Sequence, residues 1–386
     1  MLFQQAMSTM SGLTIPVLAP SIAIETGLSP SLIGLYTAFL YGGSMIAALV
    51  GSNFLIRFGA LRVSQVCLLV VAVGLLINIP GFLFLFVLGA LVTGLGGGPS
   101  TPASSQILAR YSEPKQAPLI FSIKQTGVPV GGVIAGMLLP IFVTAVGWRG
   151  ALVCASLMAL GLAAALQPLR REFDQDRQPD RKVRVVDLRT PLTAVLREKN
   201  IRQLAFGLFA FTGLQLAFAS FFVSFLSLGL KWTLTEAGLV YSLSMIAGII
   251  GRLFWGWIGT HYIRPLLLLA ILGIAMGISC MALGLITQDW QKSAVCFVAF
   301  IYGLTGIGYQ GVLLAEIARV SPSGMAGIIT GGAVCFAYAG MILMPAAFGL
   351  ILEVFNSYHF GFVILGAIPI VVGAFFLRSV IQQKQS

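Results

Sequence analysis

Two basic side chains stand in sequence that is otherwise too apolar to hold them. Lys124 lies in FSIKQTGVPVGGVIAG, residues 121–136, and Arg252 in GIIGRLFWG, residues 248–256. A charge at the centre of a bilayer-spanning helix costs roughly 2.5–3.5 kcal/mol on insertion scales. Each residue sits about seven positions, near 10 Å at ~1.5 Å per residue, from the charge-rich end of its apolar segment. Carboxylates that could offset the cost are scarce. Glu172, Asp174, Asp176, Asp180, Asp187 and Glu198 share one polar stretch, Glu113 lies in a loop, and Glu25, Glu236, Asp289 and Glu353 fall at segment ends. Only Glu316 falls within an apolar segment, where it could pair with Arg252 or Arg319 or carry a proton. A basic group short of internal acids suits an external anion, and a substrate carboxylate is the simplest. The competing reading for Arg252 is snorkelling to the interface that Trp255 and Trp257 mark. For Lys124 it is snorkelling, or hydrogen bonding to Ser122 or a helix end.

Uncharged polar residues at mid-segment depth extend the candidate pocket: Ser100, Thr101, Gln215, Tyr309 and Gln310, with Tyr36 and Tyr41 as further hydroxyl donors. Any one of them could equally serve a hydrogen bond between helices. Other chemistries lack their parts. GIGYQG, residues 306–311, fits GxGxxG by letter but lies in an apolar helical stretch with no preceding strand, so a nucleotide site is excluded. There is no HExxH, GxSxG or Walker A pattern, and His261 and His359 are the only histidines. No enzyme activity, cofactor or metal is expected. The cysteines Cys67, Cys154, Cys280, Cys296 and Cys335 all lie in apolar stretches without a CxxC pair and read as small buried hydrophobes.

The elements that position these residues follow from composition. Of 386 residues 58% are hydrophobic and 9% charged, against about 25% charged in a soluble domain, and the mean hydropathy is +0.97. A polytopic membrane protein is the class that remains. At roughly 20 apolar residues per helix, breaks at charges, prolines and turn residues give spans near 2–24, 31–55, 62–79, 82–108, 117–145, 149–168, 201–229, 235–259, 264–286, 290–318, 323–351 and 358–380. The single long polar stretch, 169–200, reads as a cytoplasmic linker between an N-terminal bundle, 1–168, and a C-terminal bundle, 201–386. Met1 leads almost directly into apolar sequence with no basic flank or cleavage site, so a removable signal peptide is not expected. Apart from Arg149, Lys231, Lys292 and the two intramembrane residues, every lysine and arginine falls on one side of this arrangement. The positive-inside rule then places both termini in the cytoplasm. It also accounts for the net charge of +11 without nucleic acid.

The halves resemble each other: TGLGGGPSTPASSQILARYSEP in span 4 parallels YGLTGIGYQGVLLAEIARVSP in span 10, and AGMLLP ending at Pro140 parallels AGMILMP ending at Pro345. Parallel repeats of this kind are a transporter architecture. GSNFLIRFGALR after span 2 is similar to a glycine-led loop motif of the major facilitator superfamily through Arg57, Gly59 and Arg62, with Ile56 where the motif has aspartate. TGVPVGG resembles the superfamily's span-5 antiporter motif through Gly127, Pro129, Gly131 and Gly132, whose small residues allow close helix packing or sliding. The resemblance covers the whole chain. It implies an all-α fold of 12 transmembrane helices in two pseudo-symmetric six-helix bundles, with spans 1, 4, 7 and 10 lining a central cavity. It also implies that spans 5 and 8 face each other, bringing Lys124 and Arg252 near one anion. Arginine at that place in span 8 is similar to the substrate arginine of monocarboxylate and oxalate carriers, although Gly248 stands where those carriers have an aspartate. The expected function is secondary active transport of a small organic anion, proton-coupled or by exchange, by a monomer in a bacterial inner membrane. A drug or metabolite efflux antiporter and a non-transporting membrane sensor are the alternatives.

Overall fold

Inside hydrocarbon a helix satisfies its own backbone, so long apolar segments separated by turn residues must fold as helices. The computed structural model of the chain describes residues 1–111, 123–175, 177–178, 189–322 and 326–385, and the regular structure among them is helical. The chain divides into two compact units, Met1–Val186 and Asp187–Ser386. The first contains α1 (Leu2–Thr26), α2 (Leu32–Phe58), α3 (Ala60–Ile77), α4 (Leu83–Gly97), α5 (Ser100–Tyr111), α6 (Gly127–Ala165) and the short α7 (Arg170–Phe173). The second contains α8 (Arg189–Arg197), α9 (Lys199–Ser224) with a π-helical turn at Phe225–Gly229, α10 (Leu234–His261), α11 (Pro265–Gly284), α12 (Lys292–Gly306), α13 (Gln310–Val320), α14 (Ala326–Phe355) and α15 (Tyr358–Gln385).

Among the described residues 11 helical runs are long and apolar enough to cross a membrane. The expected spans 117–145 and 149–168 meet a single run, Ile123–Ala165, of 43 residues. It turns a corner at Gly147, whose φ of 71° and ψ of 172° leave the helical region. At ~1.5 Å per residue the run is about 65 Å long, twice a hydrocarbon core of roughly 30 Å. Residues 117–122 and 323–325 of the expected spans lie outside the described residues.

The repeat seen in sequence has a structural counterpart within each unit. α4 stops at Gly97 and α5 starts at Ser100; α12 stops at Gly306 and α13 starts at Gln310. In both, a glycine cluster interrupts an apolar helix before a more polar half-helix. Such breaks free backbone groups that something else must satisfy.

Packing within the first unit depends on small residues. A Cβ added to Gly131 would lie 2.3 Å from the Ala6 carbonyl oxygen, and one on Gly127 2.8 Å from that of Leu2. α1 and α6 therefore meet backbone to backbone, which only glycine permits. The turn between α2 and α3 is held differently. Gly59 has φ 94°, and the 6% exposed Asp174, just after α7, reaches back to the start of α3. Its Oδ1 accepts from the Leu61 amide at 2.7 Å and its Oδ2 from the Arg62 amide at 2.9 Å. Asp174 belongs to the polar stretch 169–200 that the sequence marks as a linker. It is a carboxylate at a helix N-terminus, where free N–H groups and the helix dipole favour negative charge.

Candidate functional site

In the second unit Arg252 meets the break between α12 and α13. Its Nε donates to the Ile307 carbonyl at 3.3 Å, and a terminal guanidinium nitrogen donates to Gln310 Oε1 at 2.8 Å. Trp255, one turn along α10, donates from Nε1 to the Leu304 carbonyl at 2.8 Å. Two side chains of α10 thus take up carbonyls at the C-terminal end of α12, one of them freed by the break. What remains is the N-terminus of α13, with no side-chain cap at Tyr309. A half-helix N-terminus beside a guanidinium is an environment for an anion. Neighbouring groups are fixed from α9. The Tyr309 hydroxyl donates to Thr212 Oγ1 at 3.0 Å, and its ring packs edge-on against Phe211 at 5.2 Å. Tyr302 donates to the Leu214 carbonyl at 3.2 Å. Gln215, about one turn beyond Thr212, has a buried Oε1 with no hydrogen-bond partner among the described residues.

In the first unit the polar residues of α1 and α5 form one network. Gln4 Nε2 donates to Ser100 Oγ at 2.7 Å, Ser8 Oγ lies 2.9 Å from the same oxygen, and Thr101 donates to Gln5 Oε1 at 3.1 Å. Gln4 is 1% exposed, and its Oε1 lacks a partner among the described residues. The Cβ that Gly127 lacks would touch Gln5 Cβ at 3.0 Å, so the network abuts α6 one turn from Lys124. Lys124 is 3% exposed. Its ammonium donates to Gln125 Oε1 at 3.3 Å and forms no ion pair among the described residues. Among the described residues one neutral oxygen meets this buried ammonium, a group that carries three donors.

The remaining expected site residues fall elsewhere. Glu316 is 3% exposed and accepts from Arg319 through both oxygens, at 2.6 and 2.7 Å; of the options open to it, pairing with Arg319 is realised. Tyr36 lines a small apolar cavity with Ile15, Ala19, Ile22 and Phe86, several turns along α1 from Gln4 and Ser8. Tyr41 is half-buried in α2. Pro129 and Gly132 are buried in α6, and the Arg57 guanidinium lies 5.3 Å from the Phe58 ring centroid. At the opposite end of the first unit Arg149 pairs with Glu25, stacks at 4.3 Å on Trp148 and donates to the Ile79 carbonyl. Sequence reasoning missed Thr212, Gln4, Gln5 and Ser8. The last three follow one another at helical spacing near the start of α1, a polar stripe that was legible, whereas Thr212 carried no distinguishing signal.

Fold and sequence together define a transporter. The chain matches the Major Facilitator Superfamily over residues 1–337, and it belongs to that family. Among similar proteins, a hexuronate transporter of Bacillus subtilis is 22% identical over 94% of this chain and 89% of its own length. A probable sulfoacetate transporter of Cupriavidus necator is 25% identical over 92% and 86%. A probable hexose phosphate transport protein of Chlamydia muridarum is 25% identical over 78% and 72%. Among solved structures, a bacterial homologue of the human lysosomal transporter Spinster aligns with a TM-score of 0.73 at 15% identity over 98% of this chain and 95% of that one. A D-xylose–proton symporter aligns at 0.68 and 16% over 97% and 94%.

Proposed function

We propose that this protein is a secondary active transporter of a small organic anion carrying a carboxylate, working by alternating access with proton coupling or exchange. The observation that carries the reading is Lys124, an ammonium buried to 3% exposure without an ion-pair partner among the described residues. Such a charge is tolerated in hydrocarbon where an opposite charge visits it. Arg252, beside the uncapped start of α13 and tethered by Gln310, is the second proposed anchor. Ser100, Thr101, Gln215 and Tyr309 are proposed to supply hydrogen bonds to the rest of the substrate. That relatives named for hexuronate, sulfoacetate and hexose phosphate carry anions supports the same class. Glu316 is tied to Arg319, so a coupling role for it requires that pair to open. The protein is proposed to act as a monomer in a bacterial inner membrane with both termini cytoplasmic.

The efflux-antiporter alternative is weakened by Glu25. The acid it would draw on in the first unit is held by Arg149 and Trp148. Uptake of labelled hexuronate and other carboxylates into proteoliposomes tests the proposal. Lys124→Gln and Arg252→Gln are each expected to lower uptake about 10–100-fold, the loss of one charge-assisted hydrogen bond, with monodisperse folded protein retained. Unchanged uptake by both variants would exclude the anion site.

A further inference from the structure

The second unit contains a polar cavity that includes none of the proposed substrate contacts and meets the residues discussed above at Glu316 and Arg319. It has a volume of about 560 Å³, within the usual range for a ligand pocket, and is lined by Asn200, Gln203, Arg264, Glu316, Arg319 and several aliphatic side chains. Its walls are the first turns of α9 and α11, the last turn of α13, and Val380 of α15. These are the arginine-bearing ends of the helices, the ends that the distribution of basic residues assigns to the cytoplasmic face.

The charge balance of the cavity decides what it can hold. Among the described residues Glu316 is the one acid in the lining, and Arg319 chelates both its oxygens. Arg264 is exposed and has no hydrogen-bond or ion-pair partner among the described residues, which leaves the cavity one positive charge in excess. Arg264 also occupies the N-cap of α11 without capping it, and Pro265 follows at the first helical position. The positive end of a 20-residue helix therefore adds to the guanidinium. Asn200 and Gln203 supply amides, while Leu204, Leu266, Val320 and Val380 continue the lining as aliphatic surface. A basic, amide-bearing pocket with an aliphatic flank at the interfacial ends of membrane helices matches the junction between a phosphate and an acyl glycerol.

We propose that this cavity binds a phosphate-bearing anion, with Arg264 as its principal contact and an anionic phospholipid headgroup as its source. Native mass spectrometry of the full chain tests this by counting phosphatidylglycerol molecules retained after delipidation and re-addition, with phosphatidylcholine as reference. The wild type is expected to retain phosphatidylglycerol preferentially. Arg264→Gln should lower that retention about tenfold, and Arg264→Lys should restore most of it. Competition by glycerol phosphate distinguishes the sources: displacement shows a site open to soluble phosphates, and no displacement a site that needs the lipid. Equal retention of the two lipids by wild type, or no effect of Arg264→Gln, overturns the proposal. Because Arg264 lies outside the proposed substrate residues, carboxylate uptake by Arg264→Gln in phosphatidylcholine vesicles separates failure here from failure of the transport reading.

Discussion

A lysine in a helix interior costs free energy in proportion to how thoroughly it is removed from water and counter-charge. Lys124 is 3% exposed and has no counter-charge among the described residues, so the resting protein should be less stable for having it. Substituting Lys124→Met keeps the length of the side chain and discards the charge. It is expected to raise thermal stability by about 1–3 kcal/mol while removing carboxylate uptake, read by unfolding of detergent-solubilised protein alongside transport. A fall in stability would mean that Lys124 is a structural donor and not a substrate anchor. Arg252 differs in kind. Its contacts with Ile307 and Gln310 take up a backbone carbonyl at the helix break, so its removal should loosen the start of α13 as well as the substrate.

At the scale of elements, two devices set the positions of these residues. One is the interrupted helix: glycine clusters at 96–98 and 306–308 stop α4 and α12 and present Ser100, Thr101, Tyr309 and Gln310 at the starts of half-helices. The other is the α2–α3 turn, where Gly59 leaves room for the Asp174 carboxylate. Asp174→Ala removes an N-terminal acceptor from α3 and should cost about 1–2 kcal/mol. Gly59→Ala should be at least as damaging, because its Cβ would fall 2.3 Å from Asp174 Cγ and its φ of 94° disfavours any side chain. Both are checked by melting temperature, and a neutral Asp174→Ala would show the contact to be dispensable.

For the whole molecule, the run Ile123–Ala165 fixes the parity of the topology. If it crosses twice, bending at Gly147, the two termini share a side; if it crosses once, they do not. Its length of 43 residues and the clustering of basic residues on one face favour two crossings. A periplasm-dependent reporter such as alkaline phosphatase, fused after Ser386, is expected to remain inactive, and a fusion in the loop at Trp290 to be active. An active C-terminal fusion would overturn the orientation.

Composition alone was enough to make this chain helical and membrane-embedded, because 58% hydrophobic residues in runs of about twenty leave no other way to satisfy the backbone in lipid. The sequence also marked the two helix breaks and the basic residues within apolar helices, since glycine clusters and isolated charges stand out against apolar surroundings. What it left undetermined was pairing. Whether Glu316 meets Arg252 or Arg319, whether Asp174 is solvated or inserted at α3, and which hydroxyl receives Tyr309 all depend on contacts between residues far apart in the chain. Those contacts have no periodicity to read. They are decided only when helices pack and each polar group takes the nearest partner that burial leaves it.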